Sequence, residues 1–509
     1  MRGRLFITLA AQGGGFAISL VDRIFVTAIL LRVWGVNQFS DWSTLIAAVG
    51  MLSFADLGLL FYFGNAFQKA TLEGNTPAFQ RMVGLSLYTY AVYGLGLALL
   101  ALGAIFVFSP RTALSLTSLA PPTTVATLVI LLGYQVLAFM RSSISQIYRG
   151  DNRYGIGLVV GLISRALLAL ASVAVGLTGG GVVALAIVYL ATELLAGWLL
   201  MLADLHRRYP QIRFRFSRPT ATEIRDIVAH IRWLAVSASA PIAWLNMPVL
   251  LIAYFGLSGL PLVAFVLTRT IVNLGRQTVQ LASVAVGVEL ADDRFRGWSE
   301  ALSNRLNAVG IVLTSISGAA AAALFIFGPT ILQLWSGKAG LFDGRLFFAL
   351  LLPAVLVAPF LPLGNLMMLS GAPRPPAIGH AVQIVAGLLA GALLTPAFAV
   401  TGLAIGLAAG EIFAQCVVFP IVARSSIPTS IYRGIASSIV RGAAAATWSG
   451  LVAFVCVREL AAPAIVPFVA AGIVWALGGL MPPLFLVLPK AQRAALLALS
   501  PLARNKLRS

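Results

Sequence analysis

Fourteen apolar stretches divide this chain, at about 6–33, 42–64, 83–109, 123–147, 155–177, 181–203, 233–255, 260–285, 307–327, 346–370, 376–398, 400–423, 440–458 and 463–488. A helix needs roughly 20 apolar residues to cross the hydrocarbon of a bilayer, and most of these runs reach that length. They predict an all-α polytopic membrane protein of about 14 transmembrane helices. Composition agrees. Of the 509 residues, 60% are hydrophobic and 10% charged, whereas soluble domains carry about a quarter charged residues. The mean hydropathy is +0.95. Disordered, collagen-like and disulfide-scaffold chains are excluded. Cys416 and Cys456 lie in apolar runs without metal-ligand spacing. Met1–Arg4 followed by an apolar run has no small-residue cleavage site, so the run reads as an uncleaved first helix.

The formal net charge of +19 would suggest nucleic acid in a soluble protein. Here the distribution of the charge explains it. With a cytoplasmic N-terminus, 26 of the 35 Lys and Arg residues fall on the inside, Arg81, Arg141 and Arg218 among them. Five fall outside (Arg32, Arg111, Lys338, Arg345, Arg458), and Arg23, Arg165, Arg269 and Arg276 lie within spans. The positive-inside rule then predicts cytoplasmic N- and C-termini and an even number of spans, with no nucleic-acid partner. The longest polar segment, His206 to Arg232, is basic and lies between the sixth and seventh stretches. The expected organisation is an N-lobe of helices 1–6 (residues 1–205) and a cytoplasmic basic linker (206–232). A C-lobe of helices 7–12 (233–425) follows, then a terminal helix pair with a basic tail (426–509).

Small residues at four-residue spacing, Gly157/Gly161, Gly387/Gly391 and Gly402/Gly406/Gly410, predict close helix approach in lipid. Pro241 and Pro248 in the seventh span, and Pro353, Pro359 and Pro362 in the tenth, predict bends. A charge at bilayer depth costs about 2.5–3.5 kcal/mol or more, so it faces a cavity or a partner. The eighth span carries Arg269, Asn273, Arg276 and Gln280, spaced four, three and four apart and therefore on one helix face. Such a stripe is a poor lipid face and should line a wet cavity. Guanidinium forks match phosphate oxygens, so Arg269 and Arg276 point to an anionic substrate. In the first span Gln12, Ser19 and Arg23 share a face, with Asp22 adjacent. Asp22, Asp56 and Glu411 are candidates for gating or ion coupling, and Arg165 with Glu193 for a structural ion pair. His206, His230 and His380 are scattered, no phosphate-binding loop or metal spacing is present, and the first outer loop, Trp34 to Asp41, is short. These absences speak against a membrane glycosyltransferase or a polymerase, and neither a metal nor a cofactor is expected.

Leu31-Arg-Val-Trp-Gly-Val-Asn-Gln-Phe-Ser-Asp-Trp42, Phe54-Ala-Asp-Leu-Gly58 and Gly64-Asn-Ala-Phe-Gln-Lys69 together resemble the opening of the polysaccharide flippases, the Wzx type within the MOP superfamily of multidrug, oligosaccharidyl-lipid and polysaccharide exporters. Phe265–Gln277 resembles that family's eighth helix, and the turn Ile147–Gly155 is also similar. The resemblance implies two six-helix lobes in a V around a central cavity, with two helices outside. It implies a bacterial inner-membrane protein that moves undecaprenyl-diphosphate-linked oligosaccharide outward by alternating access for surface polysaccharide synthesis. Arg23, Arg269 and Arg276 would then hold the diphosphate, while Gln12, Asn273 and Gln280 line the cavity. Membrane lipids and polysaccharide polymerase machinery are the other implied partners. The alternative is an ion-coupled exporter of drugs or small metabolites with the same fold, using Asp22 or Glu411.

Overall fold

The computed structural model describes residues 14–15, 17–150, 154–295, 297–338, 340–370, 372–459 and 465–482. Among these residues the protein is all-helical, with no strand. Among the described residues nine helices are long and apolar enough to cross a membrane, and one continuous helical run, Arg374–Ser426, passes through two of the apolar stretches. The chain clusters into two compact units, Met1–Val263 and Ala264–Ser509.

In the first unit, helix α1 (Thr27–Gly50) follows directly on a π-helical turn, Asp22–Val26. The eight-residue outer loop expected at Trp34–Asp41 is not a loop. The backbone turns at Gly35 alone (φ 75°), a conformation open to glycine, and helix resumes at once. Asp41 is thereby carried into the unit, fully buried, where it accepts hydrogen bonds from the amides of Thr117 (3.1 Å), Ser118 (2.7 Å) and Leu119 (3.1 Å). A second break follows at Leu57 and Gly58, both left-handed, before α2 (Leu59–Leu72).

Helices α3 (Thr76–Val107), α4 (Pro121–Gly150), α5 (Tyr154–Leu177) and α6 (Val182–Arg208) complete this bundle. Its core holds Phe63, Phe67, Tyr90, Ile147 and Tyr148, each almost wholly buried. Of the Gly157/Gly161 stripe, only Gly157 is in close contact, since a Cβ there would lie 2.8 Å from the Tyr148 ring; Gly161 faces open space. Helix α7 (Ala221–Tyr254) packs within this unit, on α1 and on the 3₁₀ turn Met51–Asp56. Ser239 donates to the Phe54 carbonyl (3.2 Å), and the Asn246 side chain covers Gly50. The division between the two compact units falls after α7, at Val263. The helix also runs unbroken through Pro241 and Pro248.

The second unit contains α8 (Leu260–Phe295, from Ala264 onward), α9 (Glu300–Ser336), α10 (Gly344–Leu369), α11 (Arg374–Ile412) and α12 (Thr429–Arg458), then the shorter α13 (Ile465–Leu480). Although 36 residues long, α8 misses the apolarity of a membrane span because its polar stripe lowers its hydropathy. The tenth span does break at its prolines, into a 3₁₀ turn at Ala358–Phe360.

The stripes in α11 pack as the spacing predicts. The helix reverses at Ala399 (φ 52°), and a Cβ on Gly406 or Gly410 would lie 2.1 Å from the Gly391 nitrogen or 2.2 Å from the Gly387 nitrogen. The sum of paired residue numbers stays constant, which marks an antiparallel hairpin in backbone contact. A second small-residue seam joins α9 to α12: Gly310, Thr314 and Gly318 lie against Ser438, Gly442 and Ala446. Here the offset stays constant, so the two helices run parallel, as helices with an odd number of crossings between them must; α10 and the two arms of α11 make three.

Candidate functional site

In the first unit, the π turn sets Asp22 and Arg23 side by side at the start of α1. A π turn inserts one residue into the helix, and such turns recur at functional sites. Arg165 of α5 is exposed and acts electrostatically on both Asp22 and Arg23. Both guanidiniums thus lie within electrostatic reach of the Asp22 carboxylate. Tyr134 and Tyr189 stand beside this cluster, edge to face at 5.2 Å between ring centroids, and Tyr134 feels the charges of Glu193 and Arg141 as well as those of Arg165 and Asp22.

The expected Arg165–Glu193 pair does not form. Glu193, only 3% exposed, is held by Arg141 of α4, whose Nη2 donates at 3.2 Å and whose Nε donates to the other carboxylate oxygen. The reason is directional. Glu193 opens a second π turn, Glu193–Leu199, and its carboxylate packs over Gly197, where a Cβ would lie 2.8 Å from it. Arg141, read from sequence as a topology-setting charge, lies nine residues before the end of α4 and is committed inside the bundle.

Asp56 accepts a hydrogen bond from the Tyr90 hydroxyl (2.7 Å) and from the amides of Gly58 and Leu60. These contacts secure the break at Leu57–Gly58, so the carboxylate is committed to structure at a helix interruption. Gln12 lies outside the described residues.

In the second unit, the stripe on α8 is present, with Asn273 half-buried and Gln280 exposed. Arg269 lies over the Phe265 ring, 5.0 Å from its centroid. Arg276 departs from its expected role. Its Nη1 donates to Glu411 at 3.0 Å, and its Nη2 donates to the other carboxylate oxygen. Helix α8 carries no acid on that face, and the carboxylate comes from α11 instead. Glu411 is 3% exposed, so the fork of Arg276 is filled by a buried carboxylate and is not open to a phosphate. His380 and Cys416 lie within electrostatic reach of Glu411, and Gln415 donates to Gln383 nearby (3.1 Å). A further tie, Asn365 to Ser283 (2.8 Å), joins α10 to α8.

No family model matches the sequence, and no curated protein matches it. Solved structures do match. The lipid II flippase MurJ in an inward-closed conformation superposes with a TM-score of 0.69 over 92% of this chain and 97% of that one, at 10% identity. An inward-facing multidrug resistance MATE transporter of the MOP superfamily gives 0.65 over 82% and 95%, at 16% identity. A MOP superfamily transporter from Pyrococcus furiosus, described as having a binding pocket of reversed polarity, gives 0.54 over 86% and 94%, at 15% identity. The fold is that of the MOP superfamily transporters. A MOP-type fold in a multi-pass membrane protein is what the apolar stretches and the opening motifs predict.

Proposed function

We propose that this protein is a flippase for polyprenyl-diphosphate-linked oligosaccharide in a bacterial inner membrane, with both termini cytoplasmic. The observation that carries the reading is the Asp22–Arg23–Arg165 cluster. Two guanidiniums there lie within electrostatic reach of one carboxylate, in a fold shared with a lipid II flippase. A diphosphate offers more acceptor oxygens than one carboxylate can. Arg23 and Arg165 of the first unit are the residues assigned to it. Arg276 serves instead as a clamp that fixes α8 to α11, two turns from Arg269. The polyprenyl tail stays in lipid. Outward movement of a headgroup of charge about −2 gains at most ~4–5 kcal/mol per 100 mV of inside-negative potential.

The test is export of surface polysaccharide by cells carrying Arg23→Ala or Arg165→Ala. Loss of export, with accumulation of lipid-linked oligosaccharide on the cytoplasmic face, supports the reading. Full export by variants that insert normally rejects it. A second reading, an ion-coupled exporter of organic cations, is favoured by the membrane-depth carboxylates of Asp22 and Glu411 and by the match to MATE transporters. Cation efflux that depends on Asp22, with polysaccharide export unchanged, selects it.

A further inference from the structure

The basic segment between α6 and α7 is not a loose connection. Tyr209 is buried and stacks edge-on to Tyr148 (6.4 Å), and Ile212 packs on the same core. The Arg213 amide donates to the Gln80 side chain (2.9 Å), which donates back to the Arg213 carbonyl. Ser217 N–H donates to the Gly84 carbonyl (3.0 Å), and a side chain at Gly84 would strike the Arg215 carbonyl at 2.5 Å. Arg81 then reaches the Arg218 carbonyl (2.9 Å) and Glu223 (2.9 Å). Residues 209–220 thus form a strap held against the first two turns of α3.

The length of α3 gives the depth of the strap. At 1.5 Å per residue its 32 residues extend about 48 Å, well beyond the roughly 30 Å of hydrocarbon in a bilayer. Its strongly exposed apolar residues run from Val92 to Val107, a rise of about 24 Å. The strap crosses at Gly84, about 12 Å before Val92 along the helix. That is the headgroup layer. At this depth the strap displays Phe216, 66% exposed, and Phe214, 39% exposed, alternating with exposed Arg213 and Arg215. Beside them the first turns of α7 expose Ile224, Arg225 and Val228. Glu223, the acid nearest the strap, is already held by Arg81.

We propose that this strap is an interfacial anchor for anionic phospholipid. Arg213, Arg215 and Arg225 engage the lipid phosphates, while Phe214 and Phe216 enter the glycerol–acyl boundary. Aromatic and basic side chains alternating at headgroup depth are complementary to a negatively charged leaflet. An extended backbone pinned to α3 orders them before they meet lipid, so binding fixes few further groups. The inference requires only the multi-pass fold and is independent of the transported substrate.

The test uses the full chain in lipid nanodiscs. Hydrogen exchange of the strap peptide is compared in phosphatidylcholine discs with and without phosphatidylglycerol. Exchange is expected to slow when phosphatidylglycerol is present, and Arg213→Gln and Arg215→Gln each weaken that protection roughly fivefold. Phe216→Ser retains the charge and loses part of the effect. None of the three variants alters Gln80, Gly84, Arg81 or Glu223, so the strap stays clasped. Equal exchange in the two lipids, or protection undiminished in the double arginine variant, overturns the proposal. So does the same protection produced in phosphatidylcholine discs by inorganic phosphate or by soluble polyglutamate, which would make a free anion or an acidic polypeptide the occupant.

Discussion

In the first unit Arg23 and Arg165 both act electrostatically on one carboxylate, Asp22, whereas in the second the fork of Arg276 bonds both oxygens of Glu411. The Arg141–Glu193 pair belongs with Arg276–Glu411, because in each the carboxylate is 3% exposed and both of its oxygens are engaged. Stoichiometry therefore separates committed arginines from available ones. A buried one-to-one pair with two hydrogen bonds offers little to a ligand. Two cations around one acid retain charge that an anion can satisfy. Position along a helix does not make this distinction, since all of these residues lie on helices.

The largest effect expected from this contrast is on stability. Glu411→Ala or Glu193→Ala strands a partly buried guanidinium, and each should cost about 3–5 kcal/mol in thermal unfolding of the purified protein. The pair replacement Arg276→Met with Glu411→Leu should recover most of that loss. If the single variants are as stable as the wild type, the pairs are not structural and the contrast fails. Next comes transport. Arg23→Ala or Arg165→Ala should reduce export roughly ten- to a hundredfold, the scale of a hydrogen bond to a charged group. The same variants should leave unfolding temperatures nearly unchanged.

The hairpin that carries Glu411 sharpens the comparison further. Gly406→Ala forces a Cβ into the Gly391 backbone and should cost about 1–3 kcal/mol, with part of the Arg276 clamp lost alongside it. Gly161→Ala, which meets open space, should be neutral by the same unfolding assay. The smallest effect belongs to Arg81–Glu223, an arginine–acid pair in contact with water. The Arg81 guanidinium holds the Glu223 carboxyl below the usual glutamate range. A value lowered on folding means that the stabilisation is complete above about pH 4.3, the ordinary glutamate value, and fades as the pH falls through the folded value. Glu223→Gln should therefore quicken hydrogen exchange at Ser217 near neutral pH, by an amount worth at most about 1 kcal/mol. The gap from wild type should close in acid.

Much of the fold was legible because membrane helices are written in long apolar runs, and the backbone contacts within α11 in four-residue glycine spacing. The seam between α9 and α12 carried the same signal at Gly434, Ser438, Gly442, Ala446 and Gly450, but alanine-rich sequence hides such a stripe. Charge partners were less legible. Asp22 beside Arg23 and the α8 stripe follow from local spacing, which one helix determines. The choice of Arg141 over Arg165 for Glu193 depends on which faces of α4, α5 and α6 meet, and a π turn shifts such faces by an added residue. Asp41 was hidden because a single glycine replaced the loop expected around it, and its partners lie 76 to 78 residues away.

The contact between Gly387, Gly391, Gly406 and Gly410 has a mechanical consequence. Helices that meet through side chains can slide by switching rotamers, but these two arms touch main chain to main chain and have no such slack. They travel as one stiff rod, and Glu411, one residue beyond Gly410, travels at a fixed place on it. Any shift of α11 must therefore either carry Arg276 along or tear the two charges apart.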